Sequence, residues 1–94
     1  QILTMGTALV KIRIMPESPN VNLKEIEKKA KEITEKGEGK NPRTEIEPVA
    51  FGLNAIILGF ALDESKSIDN IQDKLKKIPN TSSAEVIDFR RAFG

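Results

Sequence analysis

The stretch LNAIILGFAL, residues 53–62, decides the fold. It is apolar on both of its alternating faces, as expected of a strand that is hydrogen-bonded on both sides in the middle of a sheet. It follows Phe51 and Gly52 closely enough to form a hairpin with residues 44–50 (TEIEPVA). That earlier segment alternates like a strand but contains Pro48, and proline cannot donate a hydrogen bond to a neighbouring strand. The sequence therefore predicts a central strand beside an edge strand.

Two further strands are indicated near the ends of the chain. Residues 7–15 (TALVKIRIM) alternate, and one face is clearly apolar. Its members are Ala8, Val10, Ile12 and Ile14. Residues 84–89 (AEVIDF) predict the last strand, whose charges at Glu85 and Asp88 suit a protected edge. Periodicity leaves the core face of this strand open, and the competing candidates are Val86 and the pair Ile87 and Phe89.

Two amphipathic helices are predicted between these strands. The first begins after the N-cap candidate Asn22 and is expected to stop at Gly37, which can adopt a positive φ. The second begins after Ser67 and ends before Pro79. Both carry apolar residues at helical spacing. The stripes are Leu23, Ile26, Ala30 and Ile33 in the first helix, and Ile68, Ile71, Leu75 and Ile78 in the second.

The order of elements is therefore βαββαβ, and right-handed crossovers put both helices on one face of the sheet. We predict an α+β, ferredoxin-like sandwich with a four-stranded antiparallel sheet in the order 4-1-3-2. Residues 5–94 are long enough for one domain and too short for a second. Residues 1–4 precede a Met-Gly start and are interpreted as an extension added to the natural sequence.

The composition argues against covalent chemistry. The chain has no His and no Cys, so the usual proton shuttle and the thiolate metal ligands are missing. Gly37 and Gly39 follow a helix and predict a turn, whereas a phosphate-binding loop would follow a strand. We expect no catalytic residue, no metal and no cofactor, and a domain that is not an enzyme. A formal net charge of +1 provides no broad field, so neither nucleic acid nor membrane is expected as a direct partner.

Three features are not explained by folding. Phe51, beside Gly52, either packs in the core or protrudes as an interface anchor. The chain end that runs from Phe89, at the end of the predicted last strand, through Arg90 and Arg91 is either a frayed tail or presents a pair of permanent cations suited to carboxylates and phosphates. The sheet face opposite the helices is expected to be partly apolar, and such patches often mark interfaces.

Three motifs resemble those of archaeal translation elongation factor 1-beta. They are KIRIMPESP at 11–19, EPVAFGL at 47–53 and EVIDFRR at 85–91. They are spread over the chain in the order found in that family. The enrichment in Lys, Glu and Ile is typical of a thermophile.

The resemblance implies a guanine nucleotide exchange factor for the GTPase elongation factor 1-alpha, working in the cytoplasm. It implies that Phe51 and Gly52, together with Phe89, Arg90 and Arg91, contact the GTPase. Eukaryotic relatives have a lysine at the chain end that disturbs the magnesium and phosphate site, and Arg91 stands in that place. Whether Arg91 or Arg90 enters the site stays open. The factor is expected to be a monomer when free.

Two alternatives remain at this point. One is a regulatory domain that binds a small ligand and dimerises through its sheet face. The other is an RNA-binding role that depends on the local charge of Arg90 and Arg91.

Overall fold

The computed structural model describes residues 6–92, and the prediction for residues 1–4 lies outside them. The elements follow the predicted order. They are β1 (Thr7–Pro16), α1 (Leu23–Lys36), β2 (Lys40–Pro48), β3 (Asn54–Asp63), α2 (Ile68–Lys76) and β4 (Thr81–Ala92). All neighbouring strands are antiparallel and the sheet order is β2-β3-β1-β4, which confirms the ferredoxin-like arrangement.

The core lies between the sheet and the two helices. On the central strands, Ile12 is opposite Leu58 and Val10 is opposite Phe60, and all four side chains are buried. The helices add buried members of their predicted stripes. These are Ile26, Ala30, Ile71 and Leu75. Each large aliphatic side chain contributes roughly 1.5–3 kcal/mol on burial, so this layer stabilises the fold while the ends of the sheet stay accessible.

Both predicted N-caps are confirmed. The Oδ1 atom of Asn22 accepts a hydrogen bond from the backbone N–H of Lys24 at 3.1 Å. Ser67 Oγ accepts one from the backbone N–H of Asn70 at 3.4 Å. Each cap satisfies an amide that the first helical turn leaves without an intrahelical partner.

The expected role of Gly37 is wrong. Its φ is −84°, and the positive φ of 70° falls on the next residue, Glu38. What requires glycine at position 37 is space, because an added Cβ would lie 2.6 Å from Cγ1 of Ile71 on α2. The residue therefore lets the end of α1 approach α2 closely.

The last strand is longer than predicted. β4 continues to Ala92, so Arg90 and Arg91 lie within it, after Phe89, and do not follow it as a tail. The extension forms because these residues pair with the start of β1, with Arg91 opposite Ala8. Pairing with β1 fixes the face of the sheet to which each of these side chains points.

A β-bulge in β4 answers the question of its core face. The register shifts between Lys11 and Ile12 of β1, so that Val86 is opposite Ile12 and Phe89 is opposite Val10. Ile87 is the extra residue. Since Val10 and Ile12 both face the helices, Val86 and Phe89 both lie on the helix side, although three positions separate them.

Candidate functional site

Phe51 lies at the tip of the β2–β3 hairpin. The backbone N–H of Val49 donates to Leu53 O at 2.8 Å, and the N–H of Leu53 donates to Ala50 O at 3.3 Å. Phe51 (φ 64°, ψ 28°) and Gly52 (φ 74°) form the two central positions of this turn. Positive φ at both central residues is the mark of a type I′ turn, the hairpin turn whose twist matches that of the strands.

The turn projects the ring of Phe51 into solvent. Residue 51 is 93% exposed, so the packing interpretation is wrong and the side chain has the geometry of an anchor. A large apolar ring in the left-handed region costs about 1–2 kcal/mol relative to an unstrained backbone. Gly52 carries no such cost, and an added Cβ there would meet no atom within 4 Å. The strain at residue 51 is therefore not offset by packing of its side chain.

Phe89, Arg90 and Arg91 occupy the end of β4 that pairs with the start of β1. Phe89 is on the helix side and 51% exposed. Arg90 is on the opposite face, and its Nε lies 3.2 Å from Oδ2 of Asp88. Arg91 is on the helix side again, and its Nε lies 2.6 Å from Oε2 of Glu64. The two arginines therefore point to different faces and have different carboxylate partners.

A small recess lies beside Arg91. It has a volume of about 150 Å³, and its lining includes Glu64, Ile68, Phe89 and Arg91. Glu64 belongs to the loop between β3 and α2 and was not among the residues expected in the site. The sequence shows it only as one of two adjacent loop acids, since its contact with β4 depends on how the strands are ordered.

The two predicted parts of the site lie at opposite ends of the sheet. The hairpin meets β3 at Asn54, whereas Arg91 is level with Ala8 and Leu62. Eight residue steps along β3 correspond to about 26 Å. The structure therefore does not bring Phe51 and the arginines together, and one partner that used both would have to extend along the sheet.

The loop that carries Glu64 is held by local contacts. The backbone N–H and the hydroxyl of Ser65 donate to Asp63 Oδ1 at 2.9 and 2.8 Å, and they lower the pKa of that carboxyl below its usual 3.8. The Glu38 carboxylate, 2.9 Å from Lys66 Nζ, raises the pKa of the ammonium above 10.5. These contacts restrict the segment on both sides of Glu64.

The sheet face opposite the helices is only narrowly apolar. It carries a shallow groove of about 430 Å³ whose lining includes Leu9, Ile57 and Ala61 together with Lys11 and Arg43. Gly59 lies between Lys11 and Arg43 in the strand register. The expected apolar patch is thus a strip bordered by charged side chains.

Two further properties concern the residues that the structure describes. Between residues 6 and 92, no three acidic side chains come together as a cluster that could hold a metal ion. No helix in this part of the chain is long and apolar enough to cross a membrane.

The sheet thus presents an exposed, strained aromatic at one end and two exposed arginines at the other. A family model described as the EF-1 guanine nucleotide exchange domain matches residues 9–92. The chain belongs to this family of guanine nucleotide exchange domains.

Curated proteins that are similar to this chain agree with this assignment. Elongation factor 1-beta of Methanocaldococcus jannaschii is 36% identical over 89 residues, which cover 94% of this chain and all of the relative. The protein of the same name from Nanoarchaeum equitans is 37% identical, covering 86% of this chain and all of the relative. That from Pyrococcus horikoshii is 41% identical, covering 80% and 84%. The resemblance stated from the three motifs is confirmed.

Proposed function

We propose that this chain promotes the release of GDP from elongation factor 1-alpha in the cytoplasm. The exposed, strained Phe51 carries the proposal, because nothing within the fold uses it. The ring anchors the factor in an apolar recess of the GTPase, while the arginine end of β4 approaches the magnesium and phosphate site.

The chemistry needs no bond to be made or broken by the factor. GDP is held in a GTPase through its phosphates and Mg²⁺, and a guanidinium that reaches this site competes with the metal for the phosphate oxygens. Each tenfold acceleration of release requires about 1.4 kcal/mol of preferential stabilisation of the transition state. A buried aromatic anchor and one cation at a phosphate supply contributions of this size.

The coupling between the binding of the factor and the binding of GDP must act in both directions. If the factor weakens the binding of GDP, then GDP weakens the binding of the factor by the same ratio. Excess GDP is therefore expected to dissociate the complex, which allows one factor to act on many GTPase molecules.

Release of a fluorescent GDP from elongation factor 1-alpha of the same organism tests the function. The wild-type chain should accelerate release, and a rate equal to the spontaneous one would overturn the assignment. Phe51→Ala and Arg91→Ala should each reduce the acceleration by at least about tenfold, in line with about 1.4 kcal/mol per contact. Full activity in both variants would overturn the proposed contacts.

Two substitutions serve as matched controls. Ile46→Ala removes another exposed apolar side chain, from β2, and Arg43→Ala removes an exposed arginine from the sheet face. Both lie outside the proposed contacts and should leave the acceleration unchanged. A loss in the controls equal to that in the site variants would show that the effect is not specific to Phe51 and Arg91.

A further inference from the structure

Glu64 joins two strands that are not neighbours in the sheet. It follows the end of β3, and its carboxylate reaches Arg91 of β4 across the start of β1, which separates these strands. Its backbone N–H donates to Gly6 O at 3.0 Å, so the main chain at Glu64 is tied to the residue before β1. The backbone from which the Glu64 side chain reaches Arg91 is therefore held in place.

Gly6 leaves space for the side chain of Glu64 beside the start of β1. A Cβ at position 6 would lie 2.6 Å from Oε1 of Glu64, closer than such atoms approach one another. The carboxylate can pass over the start of β1 because residue 6 has no side chain. Any larger residue would force the Glu64 carboxylate to move.

The two side chains of the ion pair between Glu64 and Arg91 differ in their exposure to solvent. The side chain of Glu64 is 24% exposed, whereas that of Arg91 is 69% exposed. The carboxylate forms an ion pair beside Nε, the guanidinium nitrogen nearest the backbone, and the side chain of Arg91 stays largely open to solvent. An ion pair with one partner this exposed contributes little to stability, so its main effect is on where the guanidinium lies.

The ion-pair partner of Arg90, by contrast, lies on the same strand. This partner, Asp88, is two residues away, so the pair holds the guanidinium along β4 and over the opposite face of the sheet. Of these two arginines, Arg91 is the one whose partner belongs to a distant segment, the loop after β3.

We propose that Glu64 is a positioning residue for Arg91, fixing the guanidinium at the end of β4 in the orientation in which it meets an oxyanion of the partner. This inference rests on the proposed function, and it selects Arg91 over Arg90 as the cation that enters the nucleotide site. Holding a long side chain in its bound geometry reduces the entropy lost on binding. Arg91 without Glu64 retains its charge but loses this advantage.

A double-mutant cycle on GDP release tests the proposal. Wild type, Glu64→Gln, Arg91→Ala and the double variant are compared under the same conditions. Glu64→Gln should slow release by about 2- to 12-fold, the range expected for ordering one long side chain. In the Arg91→Ala background the same change should have no effect, because the residue to be positioned is absent.

Glu38→Gln is the matched control. It removes the partner of Lys66, which belongs to the same loop as Glu64, and should leave the release rate unchanged. A second measurement uses the free protein: the NMR order parameter of the Arg91 side chain should be higher in wild type than in Glu64→Gln. Equal order in the two proteins would overturn the positioning role.

The outcomes separate this inference from the function on which it rests. If the wild-type chain does not accelerate release, the exchange function itself fails. If wild type is active and Arg91→Ala is slow, but Glu64→Gln slows release equally with and without Arg91, only the positioning role fails. A faster release by Glu64→Gln would also overturn it, because Glu64 would then compete with the partner for Arg91.

Discussion

Replacing Phe51 by asparagine should stabilise the fold and impair nucleotide exchange at the same time. Phe51 has a φ of 64°, and the protein already uses asparagine at two other positive-φ positions, Asn41 (54°) and Asn80 (69°). Asparagine enters the left-handed region more readily than phenylalanine does, because its short side chain can hydrogen-bond locally. The substitution should therefore relieve backbone strain.

The expected gain follows from two opposing contributions. Relief of the left-handed strain is worth about 1 kcal/mol. Residue 51 is 93% exposed, so the ring buries only about 15 Å² and its loss costs about 0.4 kcal/mol at 25 cal/mol per Å². The net effect is about +0.5 kcal/mol in the free energy of unfolding, or about 2–4 °C in melting temperature for a domain of this size.

Thermal unfolding followed by circular dichroism measures the change, with Phe51→Ala as the matched control. Both variants lose the ring, but alanine keeps most of the strain, so only asparagine should raise the melting temperature. Both should be impaired in GDP release. A melting temperature of Phe51→Asn at or below that of Phe51→Ala would refute the strain argument.

Two other predictions concern the fold and the loop beside the arginine end. Gly37→Ala should lower the free energy of unfolding by about 1–3 kcal/mol in urea denaturation, because the new Cβ meets Ile71, and Gly37→Asn should be no better tolerated. A milder effect of asparagine would indicate that backbone conformation is the constraint. Asp63 should titrate below its usual 3.8 in an NMR titration, and Ser65→Ala should move its pKa part of the way back, since the backbone donor remains. Because the pKa of Asp63 is lowered in the folded protein, its contribution to stability is present above about pH 4 and is lost as the pH falls through the pKa of the folded state. A pKa of Asp63 equal to its usual value would contradict the contact with Ser65.

The strand order could be predicted because edge strands carry local signals. The order itself is the usual one for a ferredoxin-like βαββαβ fold, and Pro48 in β2 and the charges Glu85 and Asp88 in β4 agreed with it by marking edge strands. The N-caps at Asn22 and Ser67 were equally local, since a cap acts within three residues of its own position. These features, which depend on neighbours in sequence, were therefore predicted correctly.

The remaining features depend on contacts between distant segments. The bulge at Ile87 breaks the two-residue period, so periodicity could not assign Val86 and Phe89 to the same face. The constraint on Gly37 comes from Ile71, which belongs to the other helix. The exposure of Phe51 follows from the turn type, and two positive φ values cannot be inferred from a sequence that has glycine at only one of the positions.

The pairing of Glu64 with Arg91 illustrates the same limit within the candidate site. Both residues were visible as charges, and each has a solvated surface as its simplest interpretation. Their contact arises because β1 inserts between β3 and β4 and because Gly6 leaves the space above it open. That arrangement requires the three-dimensional order of the strands.

The length of β3 between the hairpin and the arginine end, about 26 Å, has a consequence for recognition. Hydrogen bonds along four strands make the sheet a stiff spacer, so the two contacts cannot adjust their separation independently. A partner with two matching recesses gains from both only while those recesses keep the same spacing, and the second contact then forms at a high effective concentration. On the proposed function, any rearrangement of the GTPase that alters this spacing converts one bivalent attachment into two weak ones, and the factor is released.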